Sequence, residues 1–131
     1  MPAPNILAPI EIYGKTAFLT PTVNTQVVLL ANLANSGQVF KINSIVAANS
    51  DGTSAVNATV SIYTNGAVPQ NAAPAGGTSF PLVSTVSVPS NASLIVLDKS
   101  STIYIEENVS LAVTSGAANK LTFVVSYELI K

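Results

Sequence analysis

The sequence predicts an all-β domain, an antiparallel β-sandwich or jelly roll of about eight or nine strands, and three observations carry that expectation. Short apolar stretches alternate with polar residues at period two. Clusters of Pro, Gly, Asn and Ser separate them at short intervals. Helical periodicity is nowhere sustained over the length of an ordinary helix. A chain of 131 residues is one domain, able to bury roughly two-thirds of the surface its unfolded form exposes.

Taken in order, the chain opens with MPAPNILAPI. Pro2, Pro4 and Pro9 block regular helix and remove backbone donors, so residues 1–9 read as an extended arm ahead of a single sandwich domain at 10–131. Its apolar Ile6 and Leu7, with Ile10 just beyond, are candidate contact residues for a neighbouring chain. Strands are expected at 16–20 and 25–31, with ANLANS (31–36) the one stretch suited to a helical turn. The next strands, 39–47 and 56–63, flank Asp51-Gly52, which reads as a hairpin turn. Val56, Ala58, Val60 and Ile62 fall on one face; Asn57, Thr59, Ser61 and Tyr63 fall on the other. Residues 66–79 contain Pro69, Pro74, three glycines and no charge, and read as a long exposed loop whose prolines are further contact candidates. Strands follow at 82–88, 94–97, 101–105 and 109–114. The last, 121–130, is apolar on one face and partly apolar on the other, and is therefore expected to be central or covered.

The chemistry available is narrow. Only 8% of residues are charged, against roughly 25% in soluble domains, so the exterior is expected to be neutral and hydroxyl-rich. The chain has no His, Cys, Trp or Arg, which removes the commonest general base, the thiolate and the bidentate phosphate reader. Five lysines and a net charge of -1 form no basic stripe for nucleic acid. No segment reaches the roughly 20 apolar residues of a membrane span, and the N-terminus lacks the pattern of a signal peptide. A soluble chain made in the cytoplasm is expected.

Local motifs resolve to structure more readily than to chemistry. NSDGTSAVN (49–57) lacks the acidic spacing of a calcium loop. Glu106 and Glu107 are adjacent and point to opposite faces of a strand, so they read as solvated turn residues. Asp98 and Lys99 read the same way. Asn-x-Ser/Thr triplets start at Asn57, Asn91 and Asn108, as expected by chance in a chain of this composition. Tyr13, Tyr63, Tyr104 and Tyr127 are the aromatic candidates for a sugar-stacking face, with Tyr63 best placed by its outward phase. No catalytic residue, cofactor or metal ligand is expected.

The ordered series KTAFL, GQVFKINSIVAANSDGTSAVNATVSIY, VSVPSNASLIVLDKSSTIYIEENVSLAV and FVVSYELI resembles a family of small β-sandwich virion structural proteins of tailed bacteriophages, cyanophages included. The resemblance runs from about Gly14 onward and departs from the family pattern at the insertion-like loop 67–78. It implies a non-enzymatic capsid decoration or cement protein located in the virion and assembled in the host cytoplasm. The implied partners are the major capsid protein or other virion proteins and further copies of the chain, a trimer being the first expectation. The alternatives are a tail or head-fibre component, or a carbohydrate-binding host-adhesion module.

Overall fold

The computed structural model describes residues 4–131. Nine strands form two antiparallel sheets: β1 (Ile12–Leu19), β2 (Val27–Asn32), β3 (Val39–Asn49), β4 (Val56–Tyr63), β5 (Ser79–Val88), β6 (Ser93–Leu97), β7 (Ile103–Ile105), β8 (Val109–Ser115) and β9 (Leu121–Ile130). One sheet runs β1-β9-β3, with β6 and β7 sharing the far edge of β3; the other runs β2-β8-β4-β5. The expected sandwich is thus present, and β9 is central, between β1 and β3.

The core follows from alternation. In β9, Leu121, Phe123, Val125, Tyr127 and Leu129 are buried while the residues between them are half-exposed. They meet Ile42, Ile45 and Ala47 of β3 and, from the opposite sheet, Val60, Leu111 and Val113. Each such large side chain contributes about 1.5–3 kcal/mol by leaving water, so the inner faces supply the main driving force.

Three expectations need correction. Asp51-Gly52 is not a hairpin turn, because β3 and β4 belong to different sheets. Residues 50–55 cross the roughly 10 Å between sheets, and the crossing is pinned by Ser50 N–H on Lys120 O and by Asn91 N–H on Asp51 O. ANLANS makes no helix: Ala31 and Asn32 complete β2, and Asn35 sits at φ 59°, in the left-handed region that breaks a right-handed helix. The first strand starts at Ile12 rather than near 16, because residues 12–15 pair with 127–130. The 66–79 loop is exposed, as expected, but anchored. Asn71 N–H and Val28 O form one backbone bond and Val28 N–H and Ala72 O another, while Gln70 Nε2 donates to Leu29 O.

Asn49 ties the sheet crossing together from a buried position. Its Nδ2 donates to Ser54 O at 3.0 Å and Val88 O at 3.0 Å, and its Oδ1 accepts from Asp51 N–H at 2.9 Å. Asn49→Ala leaves those groups unpaired, and each buried orphan costs about 1–3 kcal/mol. A loss of roughly 2–3 kcal/mol in denaturant unfolding is expected. Asn49→Asp should lose a similar amount, because a carboxylate keeps the shape but has no N–H to donate. Either variant unfolding at the parent's midpoint would contradict this role.

Candidate interaction surface

The described part of the N-terminal segment is folded back rather than extended; Pro2 lies outside the described residues. Asn5 organises a turn, its Oδ1 accepting from Leu7 N–H at 3.0 Å and its carbonyl from Ala8 N–H at 3.1 Å. Beyond it, Ile10 and Glu11 N–H both donate to Lys131 O, and Lys131 N–H returns a bond to Glu11 O. The turn leaves Leu7 92% exposed and Ile10 89% exposed, with Ile6 at 51%. Pro4 and Ile6 border a shallow groove of about 290 Å³ with Val39, Tyr104 and Glu106.

The exposed apolar strip continues into β1, where Ile12, Tyr13 and Phe18 stand open to solvent. Charge at the start of the strip is paired. Glu11 Oε2 accepts from Tyr13 Oη at 2.6 Å and lies 3.3 Å from Lys131 Nζ. The Tyr13 hydroxyl, then Lys131, hold the Glu11 carboxyl below its ordinary range, and the same bond raises the Tyr13 phenol. Lys131 Nζ also lies 5.7 Å from the Tyr13 ring centre.

A larger groove of about 440 Å³ lies where the two sheets meet, between Ala17, residues 29–31 and residues 66–70. Pro69 forms part of its wall, and Tyr127, tilted against Phe40 with ring centres 5.2 Å apart, closes its floor. Burial raises the Tyr127 phenol above its ordinary value.

The contact candidates therefore separate. Ile6, Leu7 and Ile10 gather at one end with β1, whereas Pro69 and the half-buried Pro74 lie in the loop across the second sheet. Tyr63 is not a surface residue at all: it is 7% exposed. Its outward phase is as expected, since β4 pairs with β8 without a register break. The loop covers it, with Gly77 N–H donating to its hydroxyl at 2.9 Å. A ring so covered offers no face to a sugar. Phe18, 68% exposed, is an exposed apolar residue that alternation alone did not single out, because edge position is set by pairing.

The acidic motifs are turn residues. Asp98 caps the 3₁₀ turn Lys99–Ser101, accepting from Ser100 N–H and Oγ, and Ser100 holds its carboxyl below the usual range. Asp51 is lowered likewise by its bonds from Thr53. Glu106 is exposed and Glu107 occupies the turn into β8. Among the described residues no group of three acidic side chains is placed to hold a metal. Asn91 and Asn108 take left-handed conformations at φ 57° and 59°, which accounts for Asn at both places by turn geometry.

Comparison with known proteins adds little to this surface. No protein-family model matches the chain, and no curated protein matches it. One chain in the solved structure of infectious bursal disease virus, Gt strain, aligns with 93% of this chain at 11% identity and a TM-score of 0.42. The present chain spans 30% of that chain's length.

Proposed function

We propose that this chain is a non-enzymatic structural subunit of a virion, a decoration or cement protein that stabilises a phage head through contacts between neutral surfaces. The observation that carries the reading is the apolar strip running from Ile6 through Ile10 into β1, exposed on a protein with 8% charged residues. Several exposed large apolar side chains within one segment mark a candidate interaction site. The ordered motifs that resemble phage sandwich proteins support it independently. The partners on this reading are a major capsid protein and further copies of the chain, with the virion as location.

The test is co-sedimentation with purified empty phage heads, set beside a glycan array. Saturable binding to heads is expected, with no glycan retained. Deleting residues 1–9 is expected to leave the far-UV spectrum unchanged while lowering head binding, because Ile6 and Leu7 would each bury surface worth about 25 cal/mol per Å². Glycan binding without head binding would overturn the reading in favour of host adhesion. Equal head binding by the shortened chain would remove the arm from the contact.

A further inference from the structure

We infer that β1 is a dimerisation edge, on which a second copy of this chain adds its own β1 antiparallel across a two-fold axis at Gly14. The inference goes beyond the virion reading and does not depend on it.

An open strand edge invites pairing, and natural sheets guard against it with proline, bulges, short strands, covering segments or charged side chains, lysine above all. Among the described residues, the other edges of this sandwich each carry such a guard. β5 has Pro81, two register shifts and Thr85 at φ 49°. β2 is bulged at Leu29 and covered through Val28 by Asn71 and Ala72. The far edge of β3 is divided between β6 and β7, of five and three residues. β1 is eight residues long, unbroken in register and without proline, and its one charged residue is Lys15, which the pairing below places beside an acidic group.

Its pairing shows which groups are open. Glu11 and Lys131 exchange both backbone bonds, so in the unbroken register the odd residues of β1 bond to β9 and the even ones turn their N–H and C=O outward. The open groups belong to Ile12, Gly14 and Thr16. On one side Ile10 N–H is taken by Lys131 O, and on the other Phe18 O accepts from Gln70 Nε2 at 3.2 Å. The open stretch is therefore symmetric about Gly14.

A second β1 laid antiparallel there sets Gly14 opposite its counterpart and Ile12 opposite the other copy's Thr16, which pairs every open group at once. Lys15 then lies opposite Tyr13 of the other copy and diagonal to its Glu11, within reach of a long side chain. Lys15 has no ion pair within its own chain among the described residues. Moving the axis to Lys15 would set Lys15 against Lys15, and moving it to Tyr13 would set Thr16 against Ile10, whose N–H is already taken by Lys131 O, so the open groups fix the register. Gly14 has nothing within 4 Å of where a Cβ would stand, leaving the axis open to a close approach. Exposed Ile12 and Phe18 flank it. Because the other edges are guarded, the edge can only meet itself, which favours a dimer over the trimer suggested by resemblance.

The experiment is sedimentation equilibrium on the full chain, together with amide exchange followed by NMR over a dilution series. A monomer–dimer equilibrium is expected, with Ile12, Gly14 and Thr16 amides protected only at concentrations where dimer forms and Tyr13, Lys15 and Ala17 protected throughout. Gly14→Pro removes an outward N–H and spares the bonds to β9, so it should weaken association by about tenfold or more without unfolding the chain. Should that variant misfold, Lys15→Glu, which meets Glu11 of the other copy, serves in its place and should also weaken association. A monomer at all concentrations, a trimer, or a dimer whose even-numbered β1 amides exchange freely would overturn the inference.

Discussion

Gly66→Ala is expected to destabilise the protein by about 3 kcal/mol or more, an effect at the upper end for a single added methyl. A Cβ on Gly66 would stand 1.9 Å from Asn32 O, 2.8 Å from Asn32 C and 3.0 Å from Asn108 Cα. These are backbone atoms at the end of β2 and the start of β8, and they cannot swing aside as a side chain would. Asn32 O is also committed, accepting from Asn108 N–H at 2.9 Å, and Gly66 N–H donates to Asn108 Oδ1 at 3.2 Å. Relief requires the chain to leave this junction, lifting the loop that follows from Tyr63 and Val28. The variant should therefore show a lower melting temperature and faster proteolysis within 67–78. Gly52→Ala is the matched control, since its Cβ would meet only Asn91 side-chain atoms at 3.8 Å or beyond, and it should unfold within about 0.5 kcal/mol of the parent. Equal stability of the two variants would contradict the junction.

Phe123→Ala should cost about 3–5 kcal/mol. Phe123 is fully buried in β9, the strand that pairs with both β1 and β3, and its direct neighbours there are Leu19 and Ala47. Ala47 is small and its strand is held by β9 on one side and β6 on the other, so it cannot collapse into the space and most of the lost volume remains as cavity. Chemical denaturation should show the midpoint falling with little change in slope, because the surface exposed on unfolding is nearly the same. A loss below about 1 kcal/mol would mean that the strands close the gap.

Much of the strand content is legible in the sequence because alternation reports burial directly. β4 matches its expected span, and β9 shows its central position through apolar residues on both faces. Partnership is a different matter. An inward-facing Val looks the same in either sheet, so nothing in 39–63 separates a hairpin from a crossing between sheets. Asp-Gly is shared by both, and here the glycine is not even required to be left-handed. The cover over Tyr63 was hidden for a related reason: an Ala-, Pro- and Gly-rich loop has no period that reveals what it lies on. The interaction surface was half legible. Proline and isolated apolar residues mark the N-terminal segment, but the open edge of β1 exists only because β9 occupies its other side.

The central position of β9 has a consequence for the growing polypeptide. Its two neighbours, β1 and β3, are complete by residue 49, whereas β9 begins at Leu121. At translation rates of about 5–20 residues per second, they wait roughly 4–14 s for the strand that joins them. Throughout that interval β1 has no neighbour within its own sheet, and the apolar face of β3 has no closed layer behind it. A ribosome stalled before residue 121 would hold a chain with the sheet split in two. Of the nine described strands, the one synthesised after the others is thus the one that closes the seam, so this sheet stays divided until residues 121–130 are available.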